Sequence, residues 1–150
     1  MGIYVGTAKI GKFNNQPVYE GIMSGASWDT INGSNYLTEA TAYGTKIPAY
    51  AFKDNSYLTA IDFNDDVDAV GSYAFNGCTA LILTELPDTI ETIALGSFYG
   101  CTHLALTGLP AALLSIGTGG FDGCTAITGK FKLPTSFTTL GSQAFARCTG

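Results

Sequence analysis

The chain is poor in charge and in the residues that most often carry out chemistry. Only 13% of its 150 residues are charged, and it has one histidine, one tryptophan and two methionines. The 7 lysines and arginines are dispersed rather than clustered, which excludes the basic face that nucleic acid requires. No run reaches the roughly 18 apolar residues of a membrane-spanning helix, so we expect no membrane insertion. The opening residues lack the apolar core of a secretory signal, so no signal peptide is expected.

What is abundant is apolar and small. Hydrophobic residues make up 46% of the chain, glycines number 19, and the net charge is −5. This composition is that of a folded chain with a sizeable core, because disordered chains are depleted in apolar residues. Polar surface therefore comes mainly from Thr, Ser and Asn.

A repeat of 23 residues runs through the last two thirds of the chain. The segment "AFNGCTAL" returns as "SFYGCTHL", "GFDGCTAI" and "AFARCTG", and Asn55 fills the first cysteine position. Its phenylalanines are separated by 23, 23, 23 and 24 residues, and they are Phe52, Phe75, Phe98, Phe121 and Phe145. The cysteines keep the same step, at Cys78, Cys101, Cys124 and Cys148.

Each unit offers a short strand ending at a proline, as in "LILTELP", and a second apolar segment such as "TIETI". A unit this short cannot bury its own apolar face, whereas stacked units can. The pattern therefore predicts a mainly β solenoid of about five 23-residue units with parallel strands.

The pattern "F-x-x-C-x-x-L-x-x-x-x-L-P" at this spacing resembles the BspA-like, treponemal-type leucine-rich repeat. The resemblance covers about Ile47 to Gly150, and we assign residues 45–150 to the solenoid, with the last repeat incomplete. It implies a bacterial surface protein used in adhesion and host binding. The usual apolar residue midway along the strand is Ile61, but Thr84 and Thr107 replace it later, so Leu83 and Leu106 either compensate through a bulge or point outward.

Residues 1–44 do not follow the period. "IYVGTAKIGKF" and "VYEG" read as short strands around a turn at "NNQP", and the remainder is too irregular in its apolar spacing to assign. We expect a small β-rich cap or attachment unit. The opening "IYVGTAKIGKF" also resembles short motifs of bacteriophage structural proteins.

The cysteine column favours packing over chemistry. Zinc sites bring cysteines in close pairs, which are absent, and a disulfide needs crossed side chains rather than a parallel ladder. We predict buried free thiols at Cys78, Cys101, Cys124 and Cys148, packed with the phenylalanine column in the repeat core.

No motif predicts catalysis, a cofactor or a metal site. "GTAKIGK" has Walker spacing but is followed by Phe13 and not by Ser or Thr. Asp62, Asn64, Asp66 and Asp68 alternate, yet Val67 and Tyr73 occupy the glycine and glutamate positions of an EF-hand, and looser calcium binding stays open. His103 has no evident catalytic partner, so the chain is predicted not to be an enzyme.

Recognition follows more naturally than reaction from a repeat surface whose outward residues vary. The predicted binding face contains Asp62, Leu83, Glu85, Leu106, Lys130 and Lys132. Expected partners are a protein or a cell-surface glycan, at a virion or a bacterial cell surface. The alternative is a structural decoration or cement protein of a virion, which would contact itself or other virion proteins.

Overall fold

The computed structural model describes residues 11–13, 16–18, 23–31, 34–42, 44–63 and 65–149, with side chains from residue 37 onward. Every regular element in these ranges is a strand. The ten strands are β1 (Gly11–Phe13), β2 (Gln16–Val18), β3 (Met23–Ile31), β4 (Ser34–Ala42), β5 (Lys46–Ile47), β6 (Ala60–Phe63), β7 (Ala69–Val70), β8 (Thr92–Ile93), β9 (Ser115–Ile116) and β10 (Thr139–Leu140). None of the described residues forms a helix long and apolar enough to cross a membrane.

A five-stranded parallel sheet in the order β10-β9-β8-β7-β5 holds the repeats together. Each of its strands contributes two residues, and each pairs with the strand one repeat away, as Val70 does with Ile93 and Ile93 with Ile116. The inward residue of each strand packs into the core from Ile47 to Ile116. The predicted solenoid of 23-residue turns with parallel strands is confirmed.

The sheet forms in the second apolar segment of each repeat and not in the segment that ends at the proline. Only Ala60–Phe63 of the first repeat is a regular strand there, so the strand predicted for "LILTELP" was wrong. Single hydrogen bonds still join these segments, for example from the Ala105 amide to the Leu83 carbonyl at 3.0 Å. Pro87, Pro110 and Pro134 have no amide to donate at the ends of these segments, and Gly108 and Gly129 lower the strand propensity of the later two.

A second sheet has the order β3-β4-β6. The nine-residue strands β3 and β4 are antiparallel, with Ile31 opposite Ser34, and β4 is parallel to β6, with Thr41 opposite Asp62. The segment left unassigned from its composition therefore contains the two longest strands described. The two residues between these strands, Asn32 and Gly33, lie outside the described residues.

The first two strands form a short antiparallel pair in which Phe13 is opposite Gln16. The predicted strands "IYVGTAKIGKF" and "VYEG" overlap β1 and β2 only at residues 11–13 and 18. Their remaining residues are outside the described part of the chain, and Gln16 and Pro17 lie in β2 rather than in the turn.

A column of phenylalanine rings runs along the core. Successive ring centroids lie 5.0, 5.1, 5.3 and 5.2 Å apart from Phe52 to Phe145, with interplanar angles of 10°, 3°, 3° and 11°. The first four rings are fully buried and Phe145 is half-buried. These centroid distances lie within the range in which stacked aromatic rings attract each other, so the column adds to the stability of the stacked repeats.

Candidate functional site

The cysteine column is a structural ladder. Cys78, Cys101 and Cys124 are buried free thiols and Cys148 is a half-buried one. Each Sγ donates to a phenylalanine carbonyl of the preceding repeat at 3.0 to 3.1 Å, the acceptors being Phe52, Phe75, Phe98 and Phe121. Burial raises the pKa of all four thiols. Thiols held protonated in this way are poor nucleophiles and poor metal ligands.

Asn55 ends the ladder by a different hydrogen bond. Its side chain is fully buried, Nδ2 donates to the Leu37 carbonyl at 3.0 Å, and Oδ1 accepts from the Tyr57 amide at 3.1 Å. A cysteine has only a weak donor and a weak acceptor on a single sulfur, so it would replace these two hydrogen bonds poorly. The first position of the column therefore joins the repeats to β4.

The described residues bring no metal-binding cluster together. His103 is exposed, and its Nδ1 donates to the Thr79 carbonyl at 2.6 Å. Within the described ranges no three His, Cys, Asp or Glu side chains are placed to hold a metal ion, and Asp62, Asp66 and Asp68 form no such group. Asn64, the fourth residue of that acidic segment, lies outside them.

A groove of about 570 Å³ lies along β6 and the two corresponding segments that end at Pro87 and Pro110. Its apolar lining includes Phe63, Leu86 and Leu109, which are buried or half-buried. Three exposed carboxylates belong to the same groove, those of Asp62, Glu85 and Asp88. The volume falls within the roughly 300–1,000 Å³ that is typical of ligand sites.

The residues of the predicted binding face separate into three groups. Asp62 and Glu85 are exposed and line the groove, whereas Lys130 and Lys132 are exposed outside its lining. Leu106 is only 1% exposed, so its assignment to an outward face is wrong, and Leu83 is half-buried against the core. Thr84 and Thr107 occupy the repeat position of Ile61 and are exposed. Leu83 and Leu106, one residue earlier, point inward instead. The compensation alternative is therefore the one that the structure shows.

Asp88 was missed by the sequence analysis. It follows Pro87 and lines the groove, and its Oδ1 accepts a hydrogen bond from the Ala111 amide of the next repeat at 2.9 Å. This bond fixes one rim of the groove between two successive turns. The only signal in the sequence was that the residue after the proline is acidic in the second repeat, "PDT" at residues 87–89, but not in the third, "PAA" at residues 110–112.

The groove is large enough to hold a ligand. Its polar side chains are carboxylates and a threonine hydroxyl, and no histidine or cysteine is among its lining residues. A negative rim around an apolar lining favours a partner that combines positive charge with apolar groups.

Stacked turns of 23 or 24 residues around a shared core define a repeat solenoid. The chain belongs to the BspA type leucine rich repeat family, whose model matches residues 38–150 in six copies. Proteins built from these repeats are generally binding or surface modules and not enzymes. None of the curated proteins matches the sequence significantly.

Solved structures agree with this fold. A leucine rich repeat protein of T. pallidum is 27% identical with a TM-score of 0.63, over 82% of this chain and 64% of that one. The pneumococcal vaccine antigen PcpA is 20% identical with a TM-score of 0.53, over 81% of this chain and 35% of that one. A leucine rich cell surface protein from Faecalibacterium prausnitzii is 19% identical with a TM-score of 0.53, over 81% of this chain and 43% of that one. The chain thus spans less than two thirds of each of these proteins.

Proposed function

We propose that this chain is a non-catalytic recognition module whose acidic groove binds a basic, partly apolar segment of a partner protein. The observation that carries the proposal is the groove itself, in which three exposed carboxylates surround an apolar lining. The rigid stack of repeats beneath it supports preorganised binding, which lowers the entropy lost by the module on association.

Lysine and arginine side chains suit this groove in two ways. Their aliphatic stems pack on apolar surface such as that of Phe63 and Leu109, while their charged ends reach the rim. Each exposed ion pair contributes only about 0.2–1 kcal/mol, so the apolar lining supplies much of the affinity and the carboxylates supply selectivity.

The experiment compares two matched variants of the full chain. Glu85→Gln removes a groove carboxylate, and Glu91→Gln removes an exposed carboxylate six residues along the same repeat that does not line the groove. Binding is measured against an array of 12-residue peptides that vary in lysine and leucine content. We expect peptides with both residue types to bind best, Glu85→Gln to weaken them about 2- to 5-fold at low salt, and Glu91→Gln to leave them unchanged.

Equal binding of neutral and lysine-containing peptides would overturn the proposal. So would equal weakening by both variants, because a general charge effect does not depend on position. Raising the salt concentration should reduce the difference between the variants, since it screens exposed charges.

A bacterial cell surface is the location we propose, with residues 1–44 as the attachment unit and residues 45–150 as the recognition solenoid. The family and the cell surface relative of F. prausnitzii support it. Protease treatment of intact producing cells tests it, because a surface-located chain is digested while a cytoplasmic marker protein is spared.

A structural role in a larger assembly is the second candidate. Leu133 and Leu140, on the last described turn, are 44% and 55% exposed, and apolar surface of this kind favours packing against another protein. A virion setting for that role rests on the opening residues alone. Self-association in analytical ultracentrifugation, together with failure to bind any peptide or glycan, would favour this candidate.

A further inference from the structure

A row of five corresponding positions runs along a face of the solenoid distinct from the groove. Its members are Tyr50, Tyr73, Gly96, Gly119 and Gln143. All five have positive φ, at 62°, 56°, 58°, 62° and 57°. Because two tyrosines and a glutamine adopt the same backbone conformation as the two glycines, the turn itself does not demand glycine at this place.

The glycines interrupt the row and leave a pocket of about 200 Å³. The Tyr73 ring, stacked on Tyr50 at 5.5 Å, extends over Gly96, where an added Cβ would meet ring atom Cε1 at 2.6 Å. Gly119 is open by comparison, since the nearest atoms to an added Cβ are Asp122 Cβ at 3.8 Å and Tyr99 Cδ2 at 3.9 Å. The pocket thus has a glycine floor between aromatic walls.

A buried carboxylate, that of Asp122, forms part of the pocket lining. Asp122 is 6% exposed, and its Oδ1 accepts from Arg147 Nε at 2.8 Å. Its Oδ2 accepts no hydrogen bond from the part of the chain that is described. Arg147 also donates to the Tyr99 hydroxyl at 2.7 Å and lies over that ring, with Cζ 5.2 Å from the ring centroid, so Arg147 holds Tyr99 and Asp122 in place.

The side-chain amides of Asn76 and Gln143, two further lining residues, likewise make no hydrogen bond to another described residue. Each amide can both donate and accept. The pocket therefore combines aromatic surface, one acceptor with no donor, and two bifunctional polar groups.

We propose that this pocket binds one sugar ring of a glycan. A pyranose presents C–H groups that pack on aromatic rings and hydroxyls that can donate to Asp122 and exchange hydrogen bonds with the amides. At about 200 Å³, the pocket is smaller than the roughly 300–1,000 Å³ of sites that enclose a drug-sized ligand, which suits a single ring.

Two other occupants fit less well. A lysine or arginine side chain would place a second cation beside Arg147, which already balances the Asp122 charge at 2.8 Å. A proline-rich segment stacks on tyrosines but lacks backbone N–H donors at its prolines, so it offers the Asp122 carboxylate fewer donors than the hydroxyls of a sugar do. This site extends the proposed recognition role to a second class of ligand and does not depend on the acidic groove.

The test uses the full chain and saturation-transfer NMR with methyl glycosides of glucose, galactose, mannose and N-acetylglucosamine. Gly119→Gln fills the pocket with the residue that the row carries at Gln143, without a close contact of its Cβ. Gly100→Asn is the matched control, because Gly100 also has positive φ, at 72°, and an added Cβ there meets nothing within 4 Å. Thermal unfolding of each variant verifies that it folds.

At least one glycoside should show saturation transfer to the natural chain and to Gly100→Asn, with binding weakened at least tenfold in Gly119→Gln. Absence of transfer with all four glycosides would overturn the proposal. So would binding that persists in a folded Gly119→Gln chain. A failure here leaves peptide binding at the groove intact, and the two proposals are therefore tested separately.

Discussion

Replacing Phe98 by alanine should destabilise the chain more than replacing either phenylalanine at the ends of the column, Phe52 or Phe145. Phe98 is fully buried and stacks on Phe75 at 5.1 Å and on Phe121 at 5.3 Å. Truncation of a buried phenylalanine costs about 3–5 kcal/mol, and two stacking partners place Phe98→Ala at the upper end of that range. This is a large part of the 5–15 kcal/mol that typically stabilises a domain.

Phe145→Ala provides the comparison. Phe145 is half-buried and stacks on one column member, Phe121, at 5.2 Å, so its truncation should cost about half as much. Urea-induced unfolding followed by circular dichroism measures both variants against the natural chain. Equal losses for Phe98→Ala and Phe145→Ala would refute the argument that nearest-neighbour stacking stabilises the solenoid.

Two further predictions concern the columns beside the phenylalanines. Burial raises the pKa of Cys101 above its ordinary value of 9.0. Above about pH 9 the unfolded thiol ionises while the folded one does not. The free energy of unfolding should therefore fall by up to about 1.4 kcal/mol per pH unit because of this thiol. In Cys101→Ala this contribution is absent, so the free energy of unfolding should fall less steeply with pH than in the natural chain, as measured by urea unfolding at several pH values. Gly117→Ala should cost about 1–3 kcal/mol in urea unfolding, because its Cβ would lie 2.7 Å from backbone atoms of Ala94 and Leu95, whereas Gly108→Ala meets nothing within 4 Å and should cost little.

The repeat was predictable because one residue type returns to one position in every turn. Phe52, Phe75, Phe98 and Phe121 each occupy equivalent core positions, and periodicity alone reveals such columns. The strands β3 and β4 were not predictable, because Gly25 and their serines are typical of loops and their apolar residues are irregularly spaced. Their structure depends on pairing with each other and with β6, which no local preference reports.

The candidate sites were predictable only where they follow the repeat. Asp62 and Glu85 occupy outward positions one repeat apart, and the groove contains both. Leu106 was misplaced because a shift of one residue reverses the face of an extended chain, and only the structure shows that Leu106 replaces Thr107 in the core. The contacts of Arg147 with Asp122 and Tyr99 join residues 25 and 48 positions apart in different columns, so no sequence period indicated them.

The most direct test of recognition by the acidic groove is to map a bound ligand on the chain. Backbone amide resonances of the isotopically labelled protein are followed while the best lysine-containing peptide of the array is added. We predict that the largest shifts occur at residues 61–63, 83, 85, 86, 88 and 107–109, which line the groove and have a backbone amide. Saturable binding with its largest shifts elsewhere, such as around Tyr73 and Gly119, would contradict the account.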